Sequence, residues 1–194
     1  MSASAHRAND RGRSHRESMI IERSANDALD VGDRRQIRGV LDRAFASDDE
    51  AVDGLEDFSE PDCWLFVRLE SGVIVAVLML LARTVRVGDA EVAVGGIGGV
   101  ATLDEHRHQG HAHLLVAEAT AIIRDELRAP FGMLQCVPEL VSLYQPLGWQ
   151  VVESELWCVQ ADGHLHRSRE LPMVLALSDI AWPSGTIDMN GLPW

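Results

Sequence analysis

From residue 19 onward, apolar positions recur along the chain with the period of a strand or a helix. Residues 1–18 instead mix Ser, Ala, Asn, Arg and Asp without periodicity. Such a segment cannot bury enough surface to offset its ordering entropy, so it is expected to be a disordered tail. Residues 19–24 read as a first strand. Asp33 then precedes Ile37, Val40, Leu41, Ala44 and Phe45, the spacing of an amphipathic helix with an acid near its start. An acidic connector follows over residues 48–62, with eight Asp or Glu and no base.

Residues 64–69 and 73–85 read as two strands joined by Ser71-Gly72, the second apolar nearly throughout, as in a strand covered on both faces. After a turn at Val87-Gly88-Asp89, a strand over 91–103 is interrupted by Gly95, Gly96, Gly98 and Gly99. Glycines in a strand indicate a bulge or a close approach of ligand to backbone. Ala112, Leu115, Val116, Ala119, Ile122 and Ile123 predict a helix over 111–128, closed by Pro130. A strand over 131–137 leads to a short helix over 138–147, with Pro at its start and Gly148 past its end. Strands over 149–160 and 173–178 complete a mixed α/β (α+β) order with hairpins before the crossover. We expect one domain over 19–194, its last stretch, 179–194, being a tail docked on the body.

Composition narrows the chemistry. All 17 basic residues are arginine, which removes mechanisms that need a lysine Schiff base or a Walker-type lysine. A net charge of −13 disfavours nucleic acid as a partner and suits a cationic small molecule. No apolar run reaches the roughly 20 residues that cross a bilayer, so no membrane partner is expected. Cys63, Cys136 and Cys158 lie in apolar runs without a Cys-x-x-Cys, which with the absence of an apolar leader leads us to expect a cytoplasmic protein.

The most informative stretch runs from Val100 to Ala112, an apolar strand, a short turn and a glycine-containing entry to a helix. Amides that open a helix lack intrahelical acceptors and sit at the positive end of its dipole, so they can hold a pyrophosphate by backbone alone. Gly96-Ile97-Gly98-Gly99-Val100-Ala101 also fits G-x-G-x-x-A, but no helix begins at those glycines and no acid closes a following strand at the required distance. His106, His108, His111 and His113 cluster without Cys or carboxylates in a ligand pattern, so no metal is expected there.

Arg107-x-x-Gly110-x-Ala112 behind a Val-x-Thr strand resembles the coenzyme A loop of the GNAT superfamily of N-acetyltransferases. Leu143-Tyr144-Gln145-Pro146-Leu147-Gly148-Trp149 is similar to the segment in which that superfamily carries its acid, and the likeness covers residues 20–178. It implies a GNAT fold: a mixed, mostly antiparallel sheet of about six to seven strands flanked by about four helices. It also implies that acetyl-CoA is bound by Val100, Thr102, Arg107, His108, Gln109, Gly110, His111 and Ala112, with the lone tyrosine, Tyr144, as acid for the thiolate.

Within the superfamily, residues 98–101 most resemble aminoglycoside 2'-N-acetyltransferases, in which an acid stands where Gly98 stands here. The tail over 182–194 resembles those enzymes and the nodulation N-acyltransferase. That likeness implies that Asp188 and the carboxylate of Trp194, with Glu60 of the acidic connector, meet a small cationic amine acceptor. Glu60, Asp62, Glu153 and Glu155 are candidate bases. The tail could instead only cover a sheet edge. The expectation is direct acetyl transfer to a primary amine, with a homodimer left open. The alternatives are a coenzyme A-binding regulatory module without catalysis, or a longer-chain acyltransferase, against which a pocket lined by Val77, Met79 and Ile97 argues.

Overall fold

The computed structural model describes residues 18–46 and 57–194. Most of the expected tail and residues 48–56 of the acidic connector therefore lie outside the described residues. Strand β1 (Met19–Ala25) leads to helix α1 (Val31–Ala44). The acid at that helix start is Asp30, whose Oδ1 accepts from the Asp33 amide at 2.8 Å, while Ile37 and Val40 are buried.

Strands β2 (Cys63–Leu69), β3 (Ile74–Val87) and β4 (Ala90–Thr102) form an antiparallel meander. Helix α2 (His111–Ile122) crosses to β5 (Phe131–Cys136), which lies parallel to β4. After the single turn α3 (Val141–Tyr144) come β6 (Gln150–Val151), β7 (Leu156–Val159), β8 (Leu165–Arg167), β9 (Leu171–Ala176) and β10 (Ile187–Asp188).

All belong to one ten-stranded sheet in the order β6-β9-β5-β4-β3-β10-β7-β8, with β2 and then β1 branching from β3. The branch follows from length. β3 has 14 residues and β2 only 7, so β2 covers residues 74–80 and leaves the far end of the same edge open. β10 fills that end, pairing Ile187 with Val87 and Asp188 with Arg86, and joins β7 on its other side. The run of buried residues from Ile74 to Leu81 forms the middle of the core. Burying each such side chain contributes about 1.5–3 kcal/mol before entropy is counted.

Three expectations change. The helix over 111–128 is α-helical only to Ile122, then widens into a π turn (Ile123–Leu127) and ends with Arg128 in the left-handed region at φ 52°. The short helix over 138–147 breaks into 3-10 turns on either side of α3, as Pro146 has no amide for a continuous ladder. The strand over 149–160 is two strands: β6 pairs with β9, whereas β7 joins β8 and β10. The polar residues Glu153, Ser154 and Glu155 carry the chain between them. With β8 and β10 added, the sheet is larger than the six to seven strands expected, within the same mixed architecture.

Candidate active site

β4 and β5 are paired only at Val94 with Phe131, Gly95 with Gly132 and Gly96 with Met133. Beyond that point they part. The divergence coincides with a bulge in β4, where Leu78 of β3 faces both Gly99 and Val100 between the pairs Val77–Ala101 and Met79–Gly98. Gly99 takes φ 55° there, a conformation that would strain most side chains. Val100 and Thr102, expected to meet the pantetheine arm, lie on this departing stretch, whose edge toward β5 has no strand partner among the described residues.

Helix α2 opens at the far end of β4. His108 (φ 61°) and Gly110 (φ 86°) both take left-handed conformations, and a side chain at Gly110 would meet nothing within 4 Å. The amides of residues 108–113 find no acceptor among the described residues; the first bond into the helix is Leu114 N–H to Gly110 O at 3.1 Å. Arg107, His108, Gln109 and Gly110 are exposed, and Arg107 pairs with Asp104 at 2.9 Å. Consecutive free amides in left-handed turns at a positive helix end make an anion-binding concavity. His111, at the first helical position, is buried with neither ring nitrogen partnered. Burial, and then the nearby His106, hold its pKa below the usual histidine range, so it is neutral at pH 7. Ala112 follows it, half-buried.

Tyr144 ends α3 and is 4% exposed. Burial, reinforced by Cys136 and Glu170, raises its phenol well above the ordinary value of 10.0. The same burial pushes the Cys136 thiol to about 11. A phenol in this setting stays protonated at neutral pH and is a weaker acid than an exposed tyrosine.

The opposite face of the parting strands is covered by the chain's last residues. Trp194 lies across the opening. A Cβ on Gly96 would come within 2.7 Å of its indole, and one on Gly98 within 2.7 Å of its carbonyl carbon. Gln135 of β5 donates from Nε2 to Trp194 O at 3.4 Å and accepts from Ser168 Oγ at 3.2 Å. The position at which the resemblance leads one to expect an acid thus has no room for any side chain. The Trp194 indole N–H is buried without an acceptor. This group and His111 are orphaned polar groups of the kind a ligand satisfies.

Other candidates lie elsewhere. Asp188 pairs with Arg86 and accepts from the Asn190 amide, near the end of β3 rather than at the parting. Glu60 is exposed beside Ser59, 3.4 Å from Asn26 Nδ2. Asp62 accepts from the Ala82 amide, and Glu155 pairs with Arg167. The structure therefore brings together the α2 mouth, the bulged strand and Trp194, but not Asp188.

Sequence reasoning missed Arg83, Ser59 and Gln135. Arg83 Nη2 donates to Ser59 Oγ at 2.7 Å and Nη1 to Leu192 O at 2.8 Å, and its guanidinium lies 5.3 Å from the Trp194 ring centroid. The available signal was Arg83 as the first charged residue of β3, ending an apolar run over residues 74–82.

Amides without acceptors among the described residues thus open α2 beyond the point where β4 parts from β5, and the buried phenol of Tyr144 ends α3. The profile of the acetyltransferase (GNAT) domain matches residues 27–152, and the chain belongs to that family. It is an acyltransferase with a mixed α/β GNAT fold.

The fold is similar to that of several solved structures. A GNAT family N-acetyltransferase (YhbS) from Escherichia coli, in complex with CoA, is 19% identical with a TM-score of 0.63, over 91% of this chain and 96% of that one. A GNAT family acetyltransferase from Brucella melitensis, in complex with acetyl-CoA, is 20% identical with a TM-score of 0.59, over 88% and 95%. An acyl-CoA N-acyltransferase from Pseudomonas aeruginosa is 22% identical with a TM-score of 0.57, over 82% and 100%. No curated protein matches the sequence significantly.

Proposed function

We propose that the protein transfers acetyl from acetyl-CoA to a primary amine of a small cationic acceptor, by direct attack. The observation that carries this reading is the run of acceptor-free amides over residues 108–113, placed where β4 parts from β5. Those amides hold the diphosphate, with Arg107, His108, Gln109, Gly110, His111 and Ala112 forming its cradle. The unpaired edge around Val100 and Thr102 takes the pantetheine arm as a further strand would. Acetyl-CoA supplies an activated acyl group on sulfur.

The amine nitrogen attacks the thioester carbonyl, the new C–N bond replaces the C–S bond, Tyr144 gives its proton to the leaving sulfur, and the proton lost from nitrogen passes through solvent to restore the phenol. Trp194 and Glu60 are assigned to the acceptor side, supported by the position of Trp194 at the parting and by the charge of −13. Asp188, neutralised by Arg86, is assigned to holding the tail. Among the expected acceptors, aminoglycosides, polyamines and amino sugars all carry the required primary amine.

Two assays test this. Titration calorimetry should detect acetyl-CoA binding, and thiol release should then rise with at least one of spermine, kanamycin and glucosamine. Absence of binding heat overturns the donor site. Binding without release in the presence of any of these amines overturns the acceptor class.

A further inference from the structure

Arg83 poses a question that the proposed chemistry does not answer. It is half-buried in β3, yet among the described residues no carboxylate lies within ion-pair distance of it. Burial lowers its pKa despite the attraction of the more distant Asp62, a sign that its charge is partly removed from water. Such a position is retained only if the guanidinium is well satisfied.

Here its satisfaction comes from the tail. The fork divides between Leu192 O at 2.8 Å and Ser59 Oγ at 2.7 Å, and the cation lies over the Trp194 ring. Ser59 closes the arrangement: its hydroxyl donates to Leu192 O at 2.9 Å and its amide to Pro193 O at 2.7 Å. A Cβ on Gly191 would come within 3.2 Å of Arg83 Nη1, so the tail is packed directly on the guanidinium. Residues 59, 83 and 191–193 thus form one hydrogen-bonded clamp. The residue it presents, Trp194, spans β4 at Gly96 and Gly98 and reaches Gln135 on β5, at the point where the strands part.

We infer that Arg83 is a positioning residue for acyl transfer: with Ser59 it holds Trp194 as the wall that closes one face of the β4–β5 opening, so that water is excluded from the thioester and only an aligned amine reaches it. This rests on the coenzyme placement proposed above. Arg83 touches no reacting atom and acts through Trp194. Loosening the wall should let water take the place of the amine. Water oxygen then attacks the thioester carbonyl, the C–S bond breaks, acetate leaves, and the thiolate takes its proton from Tyr144 or solvent. The signature is uncoupled hydrolysis, which needs no knowledge of the acceptor.

The test compares wild type, Arg83→Met, Arg83→Lys and Trp194→Ala, with folding checked by thermal melting. Thiol release from acetyl-CoA without any amine should rise about tenfold in Arg83→Met and Trp194→Ala, and less in Arg83→Lys, which keeps the charge but loses the fork. The amide of Ser59 should exchange faster in Arg83→Met. Coenzyme A affinity by calorimetry should stay within about twofold of wild type. Folded variants with unchanged hydrolysis would overturn the inference while leaving the donor site intact. A tenfold gain in coenzyme affinity in Arg83→Met would also overturn it, by making the tail a competitor for the coenzyme and not its wall. No binding heat in wild type would instead bring down the donor site itself.

Discussion

The two sides of the parted strands are built on opposite rules. At the α2 mouth the amides of residues 108–113 have no acceptor among the described residues, and this exposed turn is bent through two left-handed residues, His108 and Gly110. On the tail side, hydrogen bonding is largely closed within the protein: Met189 N donates to Trp157 O, Val159 N to Gly191 O, and Leu192 and Pro193 carbonyls accept from Arg83 and Ser59. Each buried unmade hydrogen bond costs about 1–3 kcal/mol, so a segment that serves only as wall tends to satisfy itself, while one that receives a ligand keeps donors in reserve. The exceptions on the tail side are the indole N–H groups of Trp182 and Trp194, the latter packed on Gly96 at the last β4–β5 pair.

The largest expected effect tests the proposed acid, a group that neither side supplies. Tyr144→Phe should lower kcat by about a hundredfold or more with coenzyme affinity unchanged, as expected for loss of a general acid. Steady-state kinetics beside calorimetry would show it, and equal kcat would remove the acid assignment. Next comes the receiving side. Gly110→Glu puts a negative charge beside the diphosphate and a side chain at φ 86°, and should weaken coenzyme A binding about tenfold or more. Gly110→Asn, which tolerates the left-handed region, should stay near wild type.

On the satisfied side the effect is one of stability. A methyl at Gly98 meets Trp194 at 2.7 Å and Met79 Cε at 2.8 Å, so Gly98→Ala should destabilise by about 1–3 kcal/mol, lowering Tm by several degrees. An unchanged Tm would mean that the tail does not pack there.

The smallest effect is read with pH. Tyr144 and Cys136 both have their pKa raised on folding, so the native state keeps protons that the unfolded chain loses. Their contribution to stability is fully present below the ordinary values of 9.0 and 10.0 and falls as pH rises above them, by up to about 1.4 kcal/mol per pH unit for each group. Because the chain has one tyrosine, the phenolate absorbance band should be absent at pH 10 in folded protein and appear on unfolding. A midpoint near 10 in folded protein would show Tyr144 to be solvent-open.

The contrast also explains what could be read from the sequence. The α2 mouth is local: strand, turn, glycine and helix follow one another over a dozen residues, and chemistry made from consecutive amides is written in consecutive letters. So are β3 and the glycines of β4, whose bulge was foreseeable from Gly98 and Gly99. The clamp is not local. Arg83 reaches Ser59 across 24 positions and Leu192 across 109, and β10 is only two residues long, too short to show a period. Residues 149–160 misled for a related reason. Their apolar ends, Trp149 to Val152 and Leu156 to Val159, suit one strand as well as two, and only the pairing of β6 with β9 and of β7 with β10 separates them.

The most direct test of the central claim is amide exchange at residues 108–113, followed by NMR or mass spectrometry with and without coenzyme A. The account predicts fast exchange in the free protein and strong protection when the coenzyme is bound, with the Ser59 and Met189 amides already protected in both states. Amides at the α2 mouth that stay equally exposed with coenzyme A bound would contradict it.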